Sequence, residues 1–123
     1  RSLFEAGALP AGGSDHMQKI GPLRSINPYD PFLGMWTTVT RRARWYDGRL
    51  HPEEALSREQ MIRFYTINCA KALFLDDHVG SLEKGKLADF IVLDTDLLNC
   101  PADAIRETRV VRTYVDGRLV FKR

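Results

Sequence analysis

The chain has 123 residues, 44% of them hydrophobic and 28% charged, a balance that fits one ordinary globular unit. Its 18 basic and 16 acidic side chains are dispersed and leave a net charge of +2, so nothing in the charge asks for nucleic acid. No run approaches the roughly eighteen apolar residues that cross a bilayer, and the first residues lack the apolar centre of a signal peptide, so no membrane partner is expected.

Cys69 and Cys100 lie far apart and outside any Cys-x-x-Cys unit. That arrangement gives neither zinc-finger spacing nor a disulfide framework, and it leads to the expectation of a reduced, cytoplasmic setting. A start at Arg1 instead of methionine reads as the tail of something longer or as a processed chain.

Residues 1–6 read as the last turn of a helix, stopped by Gly7 in the left-handed conformation. The following stretch, Ala8-Leu9-Pro10-Ala11-Gly12-Gly13-Ser14-Asp15-His16-Met17, is a short apolar run that passes two glycines and stops at a carboxylate. Such a run fits a buried strand whose end delivers Asp15 into a loop, although from these ten residues alone Ser14 or Asp15 reads rather as the cap of a turn. Gly21-Pro22 and Asn27-Pro28 then break regular structure, so residues 18–29 read as a long loop.

Asp30-Pro31 opens a helix, a capping carboxylate followed by proline at the first helical position. Phe32, Trp36, Val39 and Ala43 recur on one face, and Trp36 there reads as core. The cluster Arg41, Arg42 and Arg44 at its end complements the helix dipole and supplies surface ion pairs. Asp47-Gly48 marks a turn, and His51 is expected to be extended because Pro52 follows.

Ser57-Arg58-Glu59-Gln60 matches a capping box, which predicts a helix over residues 58–75 with Ile62, Tyr65, Cys69, Ala72 and Leu73 on its apolar face. Cys69 reads there as a small hydrophobe. Beyond Gly80 the texture changes to short strands. Phe90-Ile91-Val92-Leu93 is consistent with a strand buried on both faces. Asp116-Gly117 between residues 110–115 and 118–121 is a strong hairpin signal.

The line Gly80-Ser81-Leu82-Glu83-Lys84-Gly85-Lys86-Leu87-Ala88-Asp89-Phe90-Ile91-Val92-Leu93-Asp94 strongly resembles the C-terminal signature of the amidohydrolase superfamily, especially its amidase-like metal-dependent hydrolases. Tyr65-Thr66-Ile67-Asn68-Cys69-Ala70-Lys71-Ala72-Leu73 resembles the family helix upstream, and residues 109–120 resemble its closing hairpin. Gly13-Ser14-Asp15 is similar to the motif that ends the eighth barrel strand. The four matches stand in the family order over nearly the whole chain.

The resemblance implies an α/β chain that is the C-terminal fragment of a (β/α)8 barrel, its last strand plus outer helices, followed by strands of a small β-sandwich. Residues 1–79 would belong to the barrel and 80–123 to the sandwich; a complete barrel takes at least roughly 200 residues. The implied function is hydrolysis of a non-peptide, amide-type C–N bond by metal-activated water, with a small-molecule amide as substrate. Asp15 would then be the general base and acid beside a divalent metal, usually zinc, and would touch that metal only together with ligands absent from this chain. His16, Met17 and Asn27, in the loop beyond it, are the candidate substrate-binding residues.

The family's His-x-His pair and later ligands have no counterpart here: His16, His51 and His78 are the only histidines and their spacing forms no ligand pair. The chain alone is therefore expected to hold no metal and to be inactive. Its open strand edges are expected to drive homo-oligomerisation or association with the missing N-terminal portion. The alternative is a non-catalytic binding or assembly module derived from an amidohydrolase.

Overall fold

The computed structural model describes residues 1–13, 30–43 and 46–123. It contains α1 (Ser2–Glu5), α2 (Pro31–Thr40), α3 (Arg58–Tyr65) and α4 (Ile67–Ala72), with short 3-10 turns at Pro52–Glu54 and Ala102–Glu107. Three strands, β1 (Phe90–Leu93), β2 (Val110–Val115) and β3 (Arg118–Lys122), form one antiparallel sheet in the order β1-β2-β3. The described chain is thus α/β with a small antiparallel sheet.

Local chemistry sets the helix starts. Asp30 accepts a hydrogen bond from the Phe32 N–H (2.9 Å) ahead of Pro31, and Ser57 with Gln60 completes a reciprocal capping box. The α2 helix ends at Thr40, because Arg41 turns left-handed (φ 57°) and donates its N–H to the Thr37 carbonyl. Ala43 therefore lies outside the helix, exposed in an isolated bridge with Tyr46, and Met35 takes its expected place on the buried face. Arg41 donates to the Leu50 carbonyl and Arg42 reaches Asp103 at 3.9 Å, while Arg44 lies outside the described residues.

His51 is not extended: it is left-handed (φ 49°), with its Nδ1 3.0 Å from Glu53 Oε1 across the tight Pro52–Glu54 turn. That local contact outweighs the extended preference imposed by the following proline.

The expected helix over 58–75 is two helices, broken at Thr66 (φ −127°, ψ −99°). The second ends at Ala72, so Ala72 and Leu73 are exposed instead of packed. The residues that α3 and α4 bury are Met61, Asn68 and Ala70.

The core gathers Phe32, Met35, Trp36, Met61, Leu97 and Ile105, drawn from both sides of residue 80. Trp36 is core as expected, with its indole N–H donating to Asp103 (2.9 Å) and the Arg106 guanidinium 4.9 Å from its ring centroid. Arg58, at the start of α3, donates to the Leu97 and Cys100 carbonyls (3.0 and 2.8 Å) and so fastens the connection between sheet and helices.

Among the described residues the sheet meets this core at one corner, through Leu93 and Val110. Phe90 stacks on its cross-strand partner Tyr114 at 4.5 Å between ring centroids. The hairpin falls where expected, with Val115 opposite Arg118 and both turn residues at positive φ. Asp89 accepts from the Asp116 N–H (2.7 Å), and the Ala88 carbonyl from the Gly117 N–H (3.0 Å), so the run ahead of β1 holds the turn. Against expectation, β1 is not buried on both faces: it is a sheet edge, and Ile91 and Val92 are exposed. No described element covers that edge.

No helix among the described residues is long and apolar enough to cross a membrane.

Candidate functional site

Asp15, His16, Met17 and Asn27 lie outside the described residues. What the structure describes is the backbone that leads to them and the surface to which it is fastened.

Residues 8–13 do not form the expected buried strand. A strand needs a ladder partner for its backbone groups, and no described strand lies beside this segment, which is largely exposed. After Gly7, left-handed as expected (φ 78°), the segment instead docks on the break between α3 and α4. The Gly12 N–H donates to the Phe64 carbonyl at 2.7 Å. Asn68 Nδ2 donates to the Pro10 carbonyl at 2.8 Å, and the Cys69 thiol lies 3.4 Å from the Gly12 carbonyl and 3.3 Å from that of Phe64.

The break at Thr66 makes this docking possible. In an unbroken helix the Phe64 carbonyl would be committed to the N–H four residues on. Here it is turned out to receive Gly12, while the Thr66 hydroxyl donates to the Ile62 carbonyl (2.7 Å). Gly12 sits so close to the rings of Phe64 and Tyr65 that an added Cβ would come within 2.9 and 2.8 Å of them, so only glycine fits. Burial, with a lesser contribution from Cys69, pushes the Tyr65 phenol above its ordinary pKa, so it stays protonated at neutral pH.

Cys69 is thus a small packed side chain whose single S–H lies within reach of two carbonyls; it and Cys100 are free thiols. Asn68 is the buried polar contact that sequence reasoning missed. The available signal was its position seven residues after Met61, on the same face, where a poor helix former implies a hydrogen bond outside the helix.

Among the described residues no group of three or more His, Cys, Asp or Glu side chains converges. His51 and His78 are exposed and sit on separate turns. These residues do not fit a catalytic metal, which takes about three protein ligands plus water.

A sequence profile described as "Amidohydrolase family" matches residues 1–121. The chain is 38% identical over 123 residues to an N-substituted formamide deformylase of Arthrobacter pascens, covering all of this chain and 21% of that protein. It is 36% identical over 121 residues to the protein LONG AFTER FAR-RED 3 of Arabidopsis thaliana, covering 98% of this chain and 19% of the relative. An amidohydrolase from Thermotoga maritima MSB8 superposes with a TM-score of 0.66 at 26% identity, over 98% of this chain and 25% of its own. The chain therefore spans about a fifth of the length of these curated relatives.

Proposed function

The chain belongs to the amidohydrolase family, and from that premise we propose that it is the C-terminal portion of a metal-dependent hydrolase acting on non-peptide, amide-type C–N bonds. Residues 1–79 are the end of its (β/α)8 barrel and residues 80–123 the end of its β-sandwich, the two parts sharing a core through Leu97 and Ile105. The observation that carries the reading is the agreement of one family over residues 1–121 in sequence with a 0.66 superposition over 98% of the chain.

Within that protein Asp15 is the carboxylate that takes a proton as the carbonyl is attacked and returns it to the leaving nitrogen. His16, Met17 and Asn27 border the substrate. A divalent metal, zinc by family resemblance, would be held by ligands from outside this chain together with Asp15; the chain by itself binds no metal and is inactive. N-substituted formamides, the substrate class in the name of one relative, are the first small molecules to try.

The exposed apolar residues of β1 and β3 support association, either with the N-terminal portion or with further copies. The free thiols Cys69 and Cys100 are compatible with the cytoplasm as its setting.

The test compares the 123-residue chain with the reading frame extended upstream of Arg1, each assayed for zinc content and for hydrolysis of N-substituted formamides and simple amides. The extended protein is expected to bind zinc and turn over an amide, and the short chain to do neither. Stoichiometric zinc and turnover in the short chain would overturn the reading.

A further inference from the structure

We infer that the cavity between the C-terminal end of α2 and the 3-10 turn Ala102–Glu107 is a binding site for the oxyanion of a small molecule, a phosphate or a carboxylate. It has a volume of about 400 Å³, and Arg42, Arg49 and Arg106 line it together with Trp36 and Tyr46. All of these residues belong to the described part of the chain, and the inference does not depend on the role of Asp15.

The arginines are held in place by contacts that leave most of their donors free. Arg49 donates its Nε–H to the carbonyl of Thr40, the last residue of α2, at 2.9 Å. The Arg106 guanidinium lies 4.9 Å from the centroid of the Trp36 ring, and that buried ring is fixed in turn by its N–H bond to Asp103 (2.9 Å). The Arg42 backbone N–H donates to the Thr40 hydroxyl at 3.3 Å, and its guanidinium stands 3.9 Å from the same Asp103 oxygen.

A guanidinium carries five N–H donors, of which Arg49 spends one on Thr40. The Arg42–Asp103 separation of 3.9 Å and the Arg106–Glu107 separation of 3.5 Å both exceed the roughly 2.7–2.9 Å of a charged hydrogen bond. Among the described residues, therefore, no carboxylate satisfies these three side chains. Complementing the terminal carbonyls of α2 accounts for Arg49 alone, because Arg106 belongs to a different element.

Asp47 and Asp103 also border the cavity, so its lining carries three positive charges against two negative ones, and one bound anion balances them. The planar fork of arginine matches the paired oxygens of carboxylate and phosphate. Trp36 and Tyr46 supply apolar surface for the body of the molecule, and a volume near 400 Å³ suits a small ligand.

The experiment uses the full protein that carries these residues and follows the binding of inorganic phosphate and of benzoate by titration calorimetry, each against sodium chloride of equal ionic strength. The wild type is expected to bind at least one of them more tightly than chloride; the stronger of the two says whether the natural ligand carries a phosphate or a carboxylate. Arg42→Gln, at a side chain 54% exposed, is expected to weaken that binding by roughly tenfold, and Arg42→Lys, which keeps the charge and loses the fork, by less. Asp47→Asn removes a negative neighbour and should strengthen it, an effect that damage to the fold would not produce. Arg112→Gln, at an exposed position of β2 away from the cavity, should bind as the wild type does. Arg106→Gln should weaken binding as well; because it also removes the stack on Trp36, the Arg42 and Asp47 variants carry the test if it does not fold. Two results overturn the inference: neither anion binds more tightly than chloride, or the affinity is unchanged in both Arg42→Gln and Arg49→Gln, which places the anion elsewhere in the protein.

Discussion

The core and the sheet of this chain bury their apolar residues to opposite degrees. Met61 and Ile105 are 0% exposed, whereas every residue of β3 is exposed, including Leu119, Val120 and Phe121. The helices are held by side-chain packing around one core and by the Arg58 clamp. The sheet is held by its backbone ladder, the Phe90–Tyr114 stack and the Asp89 contact to the hairpin turn, with only Leu93 and Val110 reaching the core. The difference teaches that backbone hydrogen bonding can define a sheet that the hydrophobic effect has not yet paid for; apolar residues exposed on both sides of an edge strand are a surface that calls for cover.

Three changes probe that contrast. The largest effect belongs to the core: Met61→Ala empties a fully buried site and is expected to cost about 2–5 kcal/mol in urea unfolding. A loss under roughly 0.5 kcal/mol would mean that the helical layer is not the stable region.

A smaller effect is expected at the seam between layers. Asp94 accepts from the Arg109 N–H (2.8 Å) and from the Thr95 hydroxyl (2.9 Å), and these bonds hold its carboxyl below the usual pKa. Because the folded pKa lies below the unfolded one, the stabilisation is present above the ordinary carboxylate pKa of about 4 and is lost as pH falls through the folded value. The melting temperature of Asp94→Asn should start lower near neutrality and fall less between pH 6 and pH 3 than that of the wild type. Parallel curves would show that the seam does not depend on this carboxylate.

The smallest effect on stability is expected on the open sheet. Phe121→Lys, at an exposed strand position, should change unfolding by no more than about 0.5 kcal/mol, while sedimentation shows less self-association than the wild type. A large destabilisation would place Phe121 in a packed environment and remove the contrast.

Features set by neighbours in sequence were legible from sequence. The Asp30-Pro31 start, the Ser57–Gln60 capping box and the Asp116-Gly117 turn each depend on contacts within a few residues. Features set by distant partners were not. The break at Thr66 goes with a carbonyl recruited by Gly12, more than fifty residues away, and the exposure of β1 depends on what lies beside a sheet edge. The segment 8–13 shows the same limit, since its apolar composition suits a strand and its hydrogen bonds go to the helix break instead. At the candidate site the motif residues Asp15, His16, Met17 and Asn27 lie outside the described residues, whereas Asn68, which carries no catalytic signature, is the side chain that grips the approach to them.

The central claim is that the core around Met61 and Ile105 is packed within the described residues, while the sheet, on the function proposed above, is covered only in a longer protein. Amide hydrogen exchange on the short chain and on the upstream-extended protein tests it most directly. The account predicts that Met61 and its neighbours in Arg58–Tyr65 are protected in both, and that Phe90–Leu93 and Arg118–Lys122 exchange fast in the short chain and become protected in the extended one. Equal protection of the two edge strands in both proteins would contradict it.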